Sequence, residues 1–214
     1  MTERAVFLDF DGTITAEDTF VEVVRKFAPD ATARWLPLIV RGEATLREGL
    51  PEIVETIPSD QVPAMVAMVQ SVPLRAGLVE LLDALDRWGV PAIVVSSGLE
   101  ALVRGRLGAL AGRFRGLHAM ELDRTGPLLK VVAPFAAADE IVSKPAVLRR
   151  YPATEQVVVG DSITDRRMAA VAQRVFARDR LCGHCQAAGI PYLPWEDFHD
   201  VRRALAHAWD RGSA

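Results

Sequence analysis

"AVFLDFDGTIT", Ala5 to Thr15, is the stretch on which the fold turns. Ala5–Leu8 is a short apolar run of the kind that forms a buried strand. It gives way to two carboxylates one residue apart, Asp9 and Asp11, and then to Gly12 and Thr13. Alternate side chains of an extended stretch share a face, so these carboxylates would crowd each other unless something offsets their charge. A divalent cation does so. Mg²⁺ prefers an octahedron of oxygens, keeps several waters and uses one or two carboxylates together with a substrate phosphate.

Similar runs recur at Ala92–Val95, Gln156–Val159 and Val175–Ala177, separated by helical patterns. Such alternation predicts an α/β fold, a parallel sheet with helices on both faces. The second run ends in Ser96, Ser97 and Gly98, and the third in Gly160, Asp161 and Ser162. Open α/β sheets bind ligands outside the carboxyl ends of their strands, so three separated segments converge on one edge. Asp161 is thereby placed to supply a further metal ligand.

Between Thr15 and Arg75 no strand pattern appears. Helical periodicity covers 18–27, 31–40, 45–57 and 59–72 instead, with Thr45 and Glu48 at capping-box spacing and Ser59 as an expected N-cap. Residues 15–75 are therefore expected to form an inserted helical bundle, a cap, over a core made of 1–14 and 76–214. Trp35, Met65 and Met68 are assigned to the bundle core. Further along, Gly89 is the expected C-cap of one helix, and residues 113–135 read as a hairpin around "DRTGP". Ser143 and Pro145 open a helix that runs to Tyr151. In the tail, Phe198, Val201, Leu205 and Trp209 form one apolar stripe, while His199 and His207 fall on the solvated side.

These residues suit transfer of a phosphoryl group. A carboxylate aimed at phosphorus can attack as nucleophile, while its neighbour protonates the leaving alkoxide and then deprotonates the hydrolytic water. Gly12 allows a tight turn, and Thr13 either holds the loop or donates to a phosphoryl oxygen. The transferred group also needs cations and donors. Ser96, favoured over Ser97 by register, offers a hydroxyl, and Lys144 an ammonium at a helix start whose amides would add to an anion site.

The motifs "DFDGT", Ser96 in "VVSSG", Lys144 in "SKP" and "GDSITD" occur in the order and spacing of the haloacid dehalogenase superfamily, which the chain resembles from Asp9 to Asp165. The resemblance implies a Rossmann-like core and Mg²⁺, with Asp9 as nucleophile and Asp11 as general acid and base. It also implies metal binding by Asp9, the Asp11 carbonyl and Asp161, with Asp165 supporting through water. The insertion resembles the helical cap of the phosphoserine-phosphatase-like subfamily. Over nearly the whole chain "DFDGTIT", "FAP", "GDSITD", "FARD" and "LPWEDFHDVRRAL" resemble the 2-hydroxy-3-keto-5-methylthiopentenyl-1-phosphate phosphatases of methionine salvage. That group carries a cysteine-rich stretch ahead of the motif lysine, where this chain has "APFAAADEIVSKP". The expected substrate is that enol phosphate. Phosphoserine, which Asp18 and Arg47 could bind as a zwitterion, is the alternative, and a phosphomutase would use the same aspartates.

Composition narrows the rest. With 214 residues, half of them hydrophobic, and a net charge of -3, the chain can bury a sizeable core and lacks a basic footprint for nucleic acid. A small phosphorylated metabolite is the expected partner; nothing in the sequence assigns an oligomeric state. Met1–Arg4 is polar, and no run of about 18 apolar residues offers a membrane span. With only Cys182 and Cys185, the expected location is a reducing cytoplasm. "CGHC" lacks the ligands of a zinc site and is read as structural rather than redox-active.

Overall fold

The computed structural model describes residues 2–210. Seven strands form one sheet in the order β4-β3-β2-β1-β5-β6-β7. They are β1 (Thr2–Leu8), β2 (Ala92–Leu99), β3 (Gly116–Asp123), β4 (Lys130–Val132), β5 (Ala153–Gly160), β6 (Arg174–Ala177) and β7 (Leu193–Pro194). All neighbours run parallel except β3 and β4, the expected hairpin, which are antiparallel. The chain leaves β1 toward β2 and later returns to β1's other side as β5, so the order reverses between β1 and β5. That pair is the switch point at which such sheets bind ligands. Leu8 pairs with Val159 across it, and Asp9 N–H donates to the Val159 carbonyl at 3.0 Å.

Period-two alternation in β1 sorts the core into two layers. Val6 and Leu8 face α5 (Leu78–Trp88) and α10 (Phe198–Asp210), where Phe198, Val201, Leu205 and Trp209 are buried as expected. Ala5 and Phe7 face the other way, toward residues of α7 (Lys144–Arg150), α8 (Arg166–Ala169) and α9 (Asp179–Ala188). Gly89, at φ 66°, closes α5. Among the described residues no helix is long and apolar enough to cross a membrane.

Between β1 and α5 lie α1 (Thr19–Phe27), α2 (Pro29–Arg41), α3 (Leu46–Val54) and α4 (Val62–Gln70). Thr45 and Glu48 form the expected capping box. Met65 is fully buried, and Trp35 and Met68 pack against the same apolar cluster. Ser59 does not cap α4: it starts a short 3-10 turn, Ser59–Gln61, and its buried Oγ has no hydrogen-bond partner. The reason is that Pro58, in extended geometry, takes the capping position and Ser59 already lies inside the turn. Ser59 N–H donates to the Pro127 carbonyl at 3.0 Å and Leu129 N–H to the Ile57 carbonyl at 2.9 Å, so the turn pairs with the tip of the β3–β4 hairpin. α4 packs on α6 (Glu100–Leu107). The entry and exit of the helical segment are paired as well, through the Thr15–Leu74 bridge.

Replacing Leu205 by Ala should cost about 2–5 kcal/mol, because a fully buried side chain of α10 is lost from a packed layer. Urea denaturation followed by circular dichroism measures it.

Candidate active site

Asp9 leaves β1 at the switch point and is 4% exposed. Facing it is Lys144, wholly buried at the start of α7, whose Nζ donates to Asp9 Oδ1 and Asp165 Oδ1, each at 2.5 Å. Asp165 is buried in the turn after β5, where its Oδ2 accepts from the Asp161 and Ser162 amides at 3.0 Å. "GDSITD" thus folds back on itself: Ser162 Oγ accepts from Thr164 N–H while Asp165 closes the reciprocal capping box. Both oxygens of Asp165 are engaged.

Close backbone approach makes room for these acids. Gly12 sits at φ +79°, and a Cβ there would lie 2.5 Å from Asp161 Oδ2; one on Gly160 would lie 2.5 Å from Asp165 Oδ2. Only glycine fits either place. Thr13, fully buried, donates its hydroxyl to Asp161 Oδ1 at 2.7 Å. Of the two roles open to Thr13, the structure shows the loop-holding one.

Asp11 is anchored to the start of α1. Its Oδ1 accepts from the Thr19 and Phe20 amides at 3.0 and 3.1 Å and from the Thr19 hydroxyl, the first turn of α1. The expected crowding of the pair is thereby corrected. The like charges bearing on Asp9 are those of Asp165 and Asp161, and the one bearing on Asp11 is that of Asp18. Phe10, between the extended Asp9 and Asp11, is in helical geometry, so strict two-residue alternation does not hold across them. Ser96 is buried, and its Oγ accepts from Gly98 N–H at 2.9 Å, which leaves its own proton free to donate. A Cβ on Gly98 would be 3.0 Å from Asp11 Oδ2 and 3.2 Å from Ser96 Oγ, so these groups flank the same space.

Burial, reinforced by Asp165, raises the Asp9 pKa well above the usual carboxylate value despite the attraction of Lys144. Burial and then Asp165 push Asp161 up to about 6. Burial and then Asp18 push Asp11 up to about 6. For Lys144, burial opposes the charge, yet attraction by Asp165 and Asp9 outweighs it and raises the pKa. One ammonium therefore serves an excess of buried carboxylates. Asp9, Asp161 and Asp165 each offer an oxygen within 4.8 Å of the others, an all-carboxylate set suited to a hard divalent cation.

Other expected residues lie elsewhere. Ser97 lines a neighbouring cleft of about 340 Å³ with Ile39, Val40, Leu46 and Ile163. Asp18 caps α1, accepting from Val21 N–H at 3.0 Å. Arg47 donates to the Ala138 carbonyl at 3.1 Å, so its guanidinium ties α3 to the 133–142 loop instead of meeting the aspartates. Of the first amides of α7, Pro145 has no N–H, and Ala146 and Val147 both donate to the Ser143 carbonyl at 2.9 and 3.2 Å, so that of Lys144 alone is left for an anion. Cys182 and Cys185 are free thiols on α9, Cys185 buried with its pKa raised by that burial, which opposes thiolate chemistry. His199 is half-buried against Gly77, contrary to the solvated position expected, because α10 starts close to the Gly77 backbone; His207 is exposed. Arg75, which donates to the Thr13 carbonyl, carries no sequence signal that marks it; Arg178 and Trp195, within "FARD" and "LPWEDFHDVRRAL", donate to the carbonyls of Glu196 and Gly160.

Residues 6–170 match the haloacid dehalogenase-like hydrolases, and the chain belongs to that family. Within it, a 2-hydroxy-3-keto-5-methylthiopentenyl-1-phosphate phosphatase of Microcystis aeruginosa (strain NIES-843 / IAM M-2473) is 36% identical over 204 residues, 94% of this chain and 97% of that protein. Among solved structures, a phosphoserine phosphohydrolase-like protein from Francisella tularensis superposes with a TM-score of 0.72 at 16% identity, over 94% of this chain and 99% of that one. Phosphoserine phosphatase from T. onnurineus does so with a TM-score of 0.72 at 15% identity, over 95% and 94%. Both share the fold.

Lys144→Met removes the cation between Asp9 and Asp165 and leaves two buried carboxylates without it. Without divalent cations, its unfolding free energy should fall by about 3–5 kcal/mol in urea titration.

Proposed function

We propose that the chain is a Mg²⁺-dependent phosphatase that hydrolyses 2-hydroxy-3-keto-5-methylthiopentenyl-1-phosphate through an aspartyl-phosphate on Asp9. The observation that carries the proposal is the buried Asp9 at the switch point. Lys144 holds its Oδ1, and Oδ2 has no donor among the described residues. Asp9 and Asp161 would hold the metal, with Asp165 fixing the turn between them and the Asp11 carbonyl completing the protein's share. When bound, Mg²⁺ offsets the charge of these carboxylates and of the substrate phosphate and polarises the phosphoryl oxygens.

The chain's own groups do the rest. Asp9 Oδ2 forms a bond to phosphorus as the phosphorus–alkoxide bond breaks, and Asp11 gives its proton to the leaving oxygen. A water then attacks the aspartyl-phosphate, Asp11 takes its proton, and Asp9 and inorganic phosphate separate. A carboxyl with pKa about 6 can hold and release that proton near neutral pH. Lys144 fixes the nucleophile, and the free proton of Ser96 is available to a phosphoryl oxygen.

Helices α1–α4 act as the cap over this site. The cleft beneath them supports a substrate with an apolar tail: Val40 and Ile163, 66% and 42% exposed, line it with Ile39 and Leu46. A methylthio group suits these apolar walls, although Asp139, Glu140, Arg166 and Arg180 line the rest of the cleft, and Arg47, the expected partner of a phosphoserine carboxylate, is bonded to Ala138.

Purified protein with Mg²⁺ should release phosphate from the methylthio enol phosphate with kcat/KM about 100-fold or more above that for phosphoserine, the scale set by leaving a buried charged group unpaired. EDTA or Asp9→Asn should abolish turnover of every ester tested. A reversed preference would refute the substrate, and an active Asp9→Asn variant the nucleophile. In single-turnover formation of the phospho-enzyme, Asp11→Asn should slow alkyl esters far more than p-nitrophenyl phosphate, whose leaving group needs no proton; equal losses in that step would deny Asp11 the acid role.

A further inference from the structure

The chain returns from the helical segment at Leu74, which bridges to Thr15, and the next side chain collects carbonyls of the loop that follows Asp9 and Asp11. Arg75 Nε–H donates to the Thr13 carbonyl at 2.9 Å. Its Nη2 donates to the Gly12 carbonyl at 2.5 Å and, more weakly, to that of Thr15 at 3.4 Å. Its Nη1 reaches the Glu196 carbonyl at 3.3 Å, and its backbone N–H donates to the Ile14 carbonyl at 2.8 Å.

Behind Arg75 stands Trp195, which is buried. The guanidinium carbons of Arg75 and Arg178 lie 5.3 and 5.4 Å from its ring centroid. Its indole N–H donates at 3.3 Å to the carbonyl of Gly160, the residue before Asp161, and Arg178 Nη1 donates to the Glu196 carbonyl at 2.9 Å. One short segment after β7 therefore braces the loop of Asp9 and Asp11 and the turn of Asp161 together.

We propose that Arg75, backed by Trp195 and Arg178, is a positioning residue that sets the distance between the two metal-bearing loops. The peptide carbonyls of residues 12, 13 and 15 turn toward one guanidinium. That orientation keeps Gly12 in its left-handed conformation against Asp161 and keeps the Thr13 hydroxyl on Asp161 Oδ1. A planar fork can span several acceptors at fixed spacing, and a lysine ammonium cannot. Without the fork, the carbonyls would turn toward water and Thr13 would follow them, loosening Asp161 while the sheet stays intact. This positioning role rests on the phosphatase reading only for its activity readout.

The test compares the parent with Arg75→Ala and Arg75→Lys. It measures p-nitrophenyl phosphate hydrolysis with Mg²⁺, Mn²⁺ binding to substrate-free protein by electron paramagnetic resonance, and amide hydrogen exchange. For Arg75→Ala the expectation is a kcat lower by about 10–100-fold with KM within about 3-fold, and a Mn²⁺ dissociation constant raised by about 10-fold. Exchange should speed up over residues 10–16 and not in β5. Arg75→Lys should fall between Ala and the parent. Parent-like kcat and Mn²⁺ affinity in Arg75→Ala would overturn the proposal, as would faster exchange spread over the whole sheet. Should Arg75→Ala fail to fold, Arg75→Lys decides: reduced kcat and Mn²⁺ affinity with KM kept supports the role, and parent-like values refute it. If the parent binds Mn²⁺ and hydrolyses no ester, the phosphatase assignment fails, and the Mn²⁺ and exchange measurements still decide the role of Arg75.

Discussion

The ammonium of Lys144, enclosed between Asp9 and Asp165, is the constraint to which the site answers. Charges buried this deeply are tolerated only when each is paired and hydrogen-bonded with good geometry. Meeting that demand fixes the end of β1, the start of α7 and the turn after β5 relative to one another, because each contributes one member. Stability and chemistry therefore depend on the same contact. One oxygen of Asp9 is held so that the other has a defined direction, and Asp165 is held so that the peptide next to Asp161 cannot swing.

The surrounding backbone is shaped to the same end. Gly12 and Gly160 place carboxylates against main chain at distances a Cβ would forbid, which concentrates acidic oxygens beyond what one lysine can balance. Elevated pKa values at Asp9 and Asp161 express that imbalance. A divalent cation would relieve it, and a phosphate dianion could then approach what would otherwise be a repulsive edge. Asp11 makes its contacts to α1 and meets the charge of Asp18 instead, a separate environment that would suit a group trading a proton while its neighbour forms a bond.

Much of this was legible in the sequence because the signals are local. Short apolar runs ending in Ser96 or Asp161 specify strand ends, and strand ends of a parallel sheet converge without knowledge of tertiary detail. The capping box at Thr45 and the stripe on α10 depend only on neighbouring residues. What escaped depends on partners far along the chain. Strand periodicity put Asp11 on the face of Asp9, whereas Phe10 between them is in helical geometry and Asp11 is held by the start of α1. Ser59 looked like a cap, but the extended Pro58 takes that position, and Arg47 looked available until Ala138 accepted from it. Arg75 is one arginine among many in the sequence; only the meeting of residues 12–15 with residues 195 and 196 distinguishes it.

The pairing of the 57–59 turn with the tip of the β3–β4 hairpin bears on how such proteins can diversify. Ile57, Ser59, Pro127 and Leu129 share main-chain hydrogen bonds between segments far apart in sequence, and Glu55 adds an ion pair to Lys130. Exchanging the helices for another set by cutting only at their two connections would strand these amides and carbonyls on the hairpin. A recombined protein would have to carry the ribbon along with the helices, so the unit that shuffles in evolution or in the laboratory is discontinuous.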